Sequence, residues 1–241
     1  MLKMGQIKFD GQKEYQIYEQ VRSNKNGGGL ALGILKDLEP VWLKDGGDLV
    51  EALTVKISLD NSIDIRLTNA YGPQVYDNQD KKDKFWEYLE NEVFYCKNEG
   101  HGCLMMMDSN AWLGPQIIPN DLHSMNINGK MFDEFLKRNP HMTVLNKTDM
   151  CEGSITRVRK VNDTEEKSII DFILVCDKVI PYVTKMLIDE EKKYAVMNFS
   201  SKNKPPTYSD YNTIIVDINL KIKKHIPERK IVYNNKYNLS K

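Results

Sequence analysis

Asp108 and Asn110 stand two residues apart at the end of an apolar run, Cys103-Leu-Met-Met-Met-Asp-Ser-Asn-Ala-Trp112. If that run is a buried strand, period-2 alternation puts the carboxylate and the carboxamide on one face at its C-terminal tip. There a carboxylate can orient or deprotonate a water, and a carboxamide can donate a hydrogen bond to a developing anion. The same residue types also close strands by bonding their own backbone in a turn, so the pair alone leaves both readings open. Three other stretches place polar groups at or beside expected strand ends. They are Asn69-Ala-Tyr71-Gly-Pro73, Ser168-Ile-Ile-Asp171-Phe-Ile-Leu174 and Ser209-Asp210-Tyr211-Asn212. Polar groups on an inner face either find a partner there or belong to a site.

The elements that would position these groups follow from periodicity. Leu53, Val55, Ile57 and Leu59 alternate with Thr54, Lys56 and Ser58, and Ile63, Ile65 and Leu67 alternate with Asp64, Arg66 and Thr68. Strict period 2 on both sides of an Asp60-Asn61 turn predicts an antiparallel hairpin with one buried face. Glu51 and Tyr71 share the parity of the apolar face at the two open ends of that hairpin. An earlier hairpin is expected from Tyr15, Ile17 and Val21, a turn at Asn26–Gly29, and Leu30 to Leu35. Phe85, Leu89 and Val93 predict a helix from about Asp80 to Lys97 that stops at Gly100, and Met131 to Leu136 a second, shorter one. Residues 114–128 read as a polar loop longer than packing needs. A short strand is expected at 143–145. Ser154 to Val161 is a basic strand candidate, Asn162 to Lys167 a polar turn, and strands are expected at 168–176, 183–188 and 213–220. This order, roughly ten short strands in antiparallel units with two helices, predicts an α+β chain of two packed sheets with helices outside.

Composition narrows the partners. Within 241 residues, 34 basic side chains balance 34 acidic ones, so any anion-binding surface must be local. No apolar run is long enough for a membrane-spanning helix, and the first residues lack the apolar core of a signal peptide. Four cysteines without paired spacing suit reduced thiols and an intracellular setting. Cys96, His101 and Cys103 lack a fourth ligand at zinc-site spacing and are expected in the core or a loop. Residues 221–241 are basic, with Glu228 the only acid, and read as a linker or tail, or as a segment leading toward a nucleic-acid-handling domain.

Taken jointly, Gly27-Gly-Gly-Leu-Ala31, Asp108-x-Asn-Ala-Trp-Leu-Gly114, Asn128-Gly129 before a helix, Ile170-Asp-Phe-Ile173 and Ser209-Asp210 resemble the endonuclease/exonuclease/phosphatase family. The nearest likeness is to the endonuclease domains of non-LTR retrotransposons. The resemblance runs from about Tyr15 to Leu220, so residues 1–220 are expected to form one such domain. It implies a DNase I-like sandwich of two mostly antiparallel sheets flanked by helices. It implies a phosphodiester hydrolase that uses Mg2+ or Mn2+, with DNA as substrate and a reverse transcriptase downstream in a longer parent. By resemblance, Tyr71 bonds the scissile phosphate, Asp108 orients the attacking water and Asn110 stabilises the pentavalent phosphate. Asp171 matches the aspartate that holds the catalytic histidine, and Asp210 the aspartate beside that histidine, close to the metal. Thr156, Arg157 and Arg159 are the expected nucleic-acid contacts. A phosphatase acting on small phosphate esters is a further reading, which the Ala111-Trp112-Leu113-Gly114 continuation disfavours.

Two departures bear on activity. Tyr211 stands where the family has its catalytic histidine. Tyrosine titrates near pH ~10, so it can donate a hydrogen bond but supplies no positive charge near neutrality. Ahead of Tyr15, nothing matches the family's first strands, with their Asn and metal-binding Glu. The chain is therefore expected to lack roughly forty residues of the family's N-terminus at usual element lengths. Glu51 is a weak substitute, with an ion pair the plainer role. An impaired hydrolase, or a non-catalytic copy with at most weak nucleic-acid binding, is the expectation.

Overall fold

A computed structural model describes residues 14–21, 29–59, 63–194, 197–198 and 207–219. The expected turns at 26–29 and 60–61 fall mostly outside these residues, as does the basic tail from Lys221. The centre is a six-stranded sheet in the order β3-β4-β5-β6-β11-β7. Its strands are β3 (Val41–Asp45), β4 (Glu51–Ser58), β5 (Asp64–Tyr71), β6 (Gly102–Asp108), β7 (Met142–Val144) and β11 (Asp171–Cys176). The β4–β5 antiparallel hairpin forms as expected, with Leu53 opposite Asn69 and Val55 opposite Leu67. β5 and β6, joined by a helix, run parallel, an exception to the expected antiparallel units.

The expectation of one buried face on β4 and β5 is corrected. Thr54, Thr68 and Arg66, on the polar side of the alternation, are buried under α1 (Gln79–Glu99). Polar groups tolerate that position because each finds a partner. Thr54 Oγ1 lies 3.0 Å from both Thr68 Oγ1 and Tyr88 Oη, and the Arg66 guanidinium pairs with Glu92 on the helix. α1 itself buries Phe85, Leu89, Val93 and Cys96 along one stripe. Asn78 caps its N-terminus by accepting from Lys81 N at 2.9 Å, and Gly100 ends it with φ 73°. The second helix, α2 (Ile127–Arg138), is longer than expected and packs on the same face, where Phe132 meets Phe172 of β11 edge to face.

The other face carries a second layer in two pieces. One is the hairpin of β1 (Tyr15–Gln20) and β2 (Leu30–Leu35). The other is a three-stranded sheet of β15 (Ile214–Ile218), β12 (Val183–Ile188) and β8 (Cys151–Glu152). An apolar cleft of about 390 Å³ separates them, with Leu32 and Ile34 on one wall, Ile214, Val216 and Ile218 on the other, and Leu67, Leu104, Met106 and Ile173 as floor. Two small ribbons complete the fold: β9 (Arg157–Val161) with β10 (Thr164–Ser168), and β13 (Met197–Asn198) with β14 (Thr207–Tyr208). β10 corrects the expected polar turn at 162–167, which is confined to Asn162 and Asp163, both with positive φ. Its Thr-Glu-Glu-Lys face is exposed, so no apolar alternation marked it as a strand. Among the described residues no helix is long and apolar enough to cross a membrane.

Candidate active site

The register of the central sheet lines up the chemistry. Tyr71 pairs with Asp108 across the parallel β5–β6 contact, Asp171 pairs with Asp108 across β6–β11, and Glu51 pairs with Tyr71 across β4–β5. Four polar residues thus form one row across four neighbouring strands at the C-terminal end of β6. Hydrogen-bonded register fixes this row more firmly than side-chain packing could, because a slip by one residue would turn every member to the opposite face.

Each group then has its own environment. Burial pushes the Asp108 carboxyl up, against bonds from Asn110 N and Tyr211 Oη and the nearby Arg157 charge. Burial, and then the Asp108 charge, push Asp171 up to about 7. Its Oδ2 is buried without a hydrogen-bond partner among the described residues. Two carboxyls side by side in a low-dielectric site cannot both ionise cheaply, so the pair holds a proton through much of the neutral range. The Tyr211 hydroxyl donates to Asp108 Oδ2 at 3.2 Å and does not reach for Asp171. Burial, followed by the Asp108 charge, raises its pKa, so it stays a neutral donor. The guanidinium of Arg157 lies over the Tyr211 ring, 5.3 Å from its centre, and an antiparallel bridge joins the two residues.

Asn110 adopts a left-handed conformation, φ 50°, which re-aims the chain directly after the strand. Its N–H donates to Asp108 Oδ1 at 3.2 Å, and its Nδ2 donates to Gly72 O at 2.8 Å, leaving the second amide hydrogen for a ligand. Gly72 is required by this approach, since a Cβ there would sit 2.5 Å from Ser109 O. Tyr71 Oη accepts from Gln74 Nε2 at 2.6 Å. Thr156 is fully buried, its hydroxyl accepting from the amides of Ile170 and Asp171 at 3.0 and 3.2 Å. It therefore holds the backbone of Asp171, and Arg157 and Arg159 are the members of the expected DNA-contact set that reach a cleft. That cleft, of about 190 Å³, is shared with Asn110, Trp112, Asn126 and Ser168. Asp210 is exposed, and its carbonyl accepts from Val158 N at 2.8 Å.

Asn126 and Lys192 escaped the sequence, and Asn128 was named there only as part of a motif, without a role. Asn126 Oδ1 accepts from Trp112 N (3.2 Å) and Gly129 N (2.7 Å), while its Nδ2 donates to Asn110 O at 3.1 Å. Asn128 Nδ2 donates to Pro73 O at 2.7 Å and to Asn110 O at 3.2 Å. Lys192 Nζ donates to the carbonyls of Ser209 and Tyr211 at 2.9 and 2.7 Å, fixing the segment that delivers Tyr211. Asn residues in a long polar loop could have been suspected as loop anchors, whereas nothing near Lys192 pointed to its role.

A divalent cation for phosphate chemistry takes about six oxygen ligands. Among the described residues no three His, Cys, Asp or Glu side chains converge to hold one. Asp108 Oδ2 is already bonded to Tyr211, and Asp171 is held toward its neutral form. The described donor set does not fit a complete magnesium site.

No protein-family model matches the sequence, and no curated protein matches it either. The structure does match solved ones. It is similar to the endonuclease domain of TRAS1, a telomere-specific non-LTR retrotransposon, at TM-score 0.56 and 15% identity, covering 87% of this chain and 81% of that one. It is similar to a mannosyl-6-phosphatase from Bacteroides thetaiotaomicron, at TM-score 0.55 and 12% identity, over 85% and 76% of the two chains. An AP endonuclease from Archaeoglobus fulgidus matches at TM-score 0.53 and 15% identity, over 85% and 79%. The chain has the DNase I-like fold of endonuclease/exonuclease/phosphatase proteins. At these identities the likeness establishes the fold, and function rests on the residues.

Proposed function

We propose that the row of Tyr71, Asp108 and Asp171, with Asn110 and Arg157 beside it, is a DNA phosphodiester site of the endonuclease type whose hydrolytic power is impaired. The observation that carries this reading is the register itself, three polar residues at one level on three adjacent strands. Phosphodiester hydrolysis needs a positioned water, donors aimed at the equatorial oxygens and charge to neutralise the phosphate. Asp108 supplies the first, Asn110 and Tyr71 the second, and Arg157 with Arg159 part of the third. Two elements work against turnover. Tyr211 brings no positive charge and occupies one oxygen of Asp108 with a hydrogen bond. The metal of this reaction class, Mg2+ or Mn2+, finds no complete ligand set among the described residues.

The proposed substrate is DNA, and the TRAS1 endonuclease domain and the AP endonuclease support that choice. The mannosyl-6-phosphatase keeps small phosphate esters as a second reading. A plasmid-nicking assay with Mg2+ or Mn2+ tests the proposal. The expected result is nicking at least roughly 10²-fold slower than for a histidine-bearing enzyme of the class. Robust nicking that vanishes in Asp108→Ala would show the site unimpaired. Equal, feeble nicking in wild type and Asp108→Ala would remove Asp108 from the chemistry altogether.

A further inference from the structure

The loop that leaves β6 after Asn110 carries an aromatic ring that the chemistry above does not use. The Trp112 indole lies on the imidazole of His123, with ring centres 4.3 Å apart and planes 24° from parallel. His123 is itself fastened, its Nδ1 standing 3.1 Å from Asp121 Oδ1 and its backbone N–H donating to that same oxygen at 3.0 Å. Asp121 is buried, and its other carboxylate oxygen accepts from the amides of Leu113 and Gly114, each at 3.0 Å. The amide of Trp112 donates to Asn126. Asp121 and Asn126 therefore fix the backbone on both sides of the indole, and the His123 ring that backs it is fastened to the same Asp121.

Burial alone does not explain this. Trp86, which serves the core, is 3% exposed and packed among Phe85, Phe132 and Phe135. Trp112 is half-buried, backed on one side by His123, and lines the cleft that also holds Arg157, Arg159 and Asn110. The cleft thus sets Arg157, together with Arg159 and the Glu166 opposite it in the ribbon, beside a π-surface. An aromatic ring whose rotamer is already locked binds a planar ligand with little loss of side-chain freedom.

We propose that Trp112, backed by His123, is a stacking platform for an unpaired base of a DNA strand whose neighbouring phosphate lies against Arg157 and Asn110. This rests on the DNA reading above and deepens it, since it adds recognition of an unstacked nucleotide to a phosphate site. In a duplex the base faces are covered by their neighbours, so the platform favours single-stranded, frayed or extruded nucleotides. It is tolerant of sequence, because every base offers a π-face.

The test is fluorescence anisotropy at low salt, using the full chain with a short oligothymidylate and with an abasic strand of the same length. Stacking is worth about 1–3 kcal/mol per base, so Trp112→Ala should weaken oligothymidylate binding by about 5- to 150-fold and leave abasic binding unchanged. Trp112→Phe keeps a ring in place and should retain most of the affinity, while abolishing the quenching of tryptophan emission that oligothymidylate produces in the wild type. Arg157→Ala should weaken both strands. Equal oligothymidylate affinity in wild type and Trp112→Ala overturns the platform and leaves the phosphate site standing. So does a parallel loss on both strands in Trp112→Ala. Failure of wild type to bind either strand sinks the DNA reading and the platform with it.

Discussion

The two ends of the central sheet bury charge in opposite ways. Toward the start of β6, Arg66 and Glu92 are shut away under α1, with the guanidinium Nε and Nη2 at 3.0 and 2.9 Å from Glu92 Oε2. Lys44 Nζ lies 2.8 Å from the other oxygen, close enough for attraction though out of line for a hydrogen bond. Every charge there has an opposite. Toward the end of β6, Asp108 and Asp171 face each other with like sign, and one carboxylate oxygen has no protein partner among the described residues. The same sheet, a few residues along, tolerates buried ionisable groups in one place because they are paired and in the other although they repel. A fold keeps the second arrangement only at a cost to stability, and it is this cost that motivates the proposed phosphodiester site.

That contrast breaks first at the paired end. Glu92→Ala removes the buried partner of Arg66, leaving it only the half-exposed Glu99 at 3.4 Å, and should cost about 3–5 kcal/mol of unfolding free energy by urea titration. A loss under about 1 kcal/mol would mean that the pair is not holding the helix to the sheet. At the other end the sign reverses. Asp171 has a folded pKa of about 7, against an ordinary value of 3.8, so the folded state binds more protons than the unfolded one between those limits. Stability from this group is therefore fully present below about pH 4 and is lost as pH rises through 7. Asp171→Asn removes that ionisation and should gain on the order of 1–3 kcal/mol over wild type at pH 8, with the advantage shrinking toward pH 5. An Asp171→Asn protein less stable than wild type at pH 8 would show that the carboxylate is satisfied after all. The smallest effect is Tyr211→Phe, which deletes one partly buried bond to Asp108 and should cost roughly 1 kcal/mol. Because that bond pulls the Asp108 pKa down, its loss should move the carboxyl titration upward in carbon-detected NMR.

Much of this architecture was legible in residue order. The alternation of β4 and β5, the stripe and glycine stop of α1, and the polar tips of β5, β6 and β11 each follow from a local period that matches the final structure. Tyr71, Asp108 and Asp171 could be named because strand ends punctuate an apolar run. Their alignment in one row could not, since β5, β6 and β11 are separated in the sequence by helices and loops that leave their register open. β3 was missed because Val41 and Trp42 are exposed on an edge strand and Lys44 and Asp45 interrupt any alternation. The second buried face of β4 and β5 was missed because Thr54, Thr68 and Arg66 look like solvent-facing residues until a helix supplies Tyr88 and Glu92. Tyr211 was recognised as a substitution, but its bond to Asp108 and the Lys192 bonds to its own backbone join residues far apart in the chain.

Asn126 ties a helix to a loop. One carboxamide caps α2 through Gly129, holds the amide of Trp112 and supports the carbonyl of Asn110. The first turn of the helix and the loop beyond Asp108 therefore share a hinge pin: neither can swing open while the other stays shut. Local opening of the helix end should then also loosen the loop beyond Asp108, and the expected sign is Gly129 and Trp112 amides that exchange with solvent at matching rates.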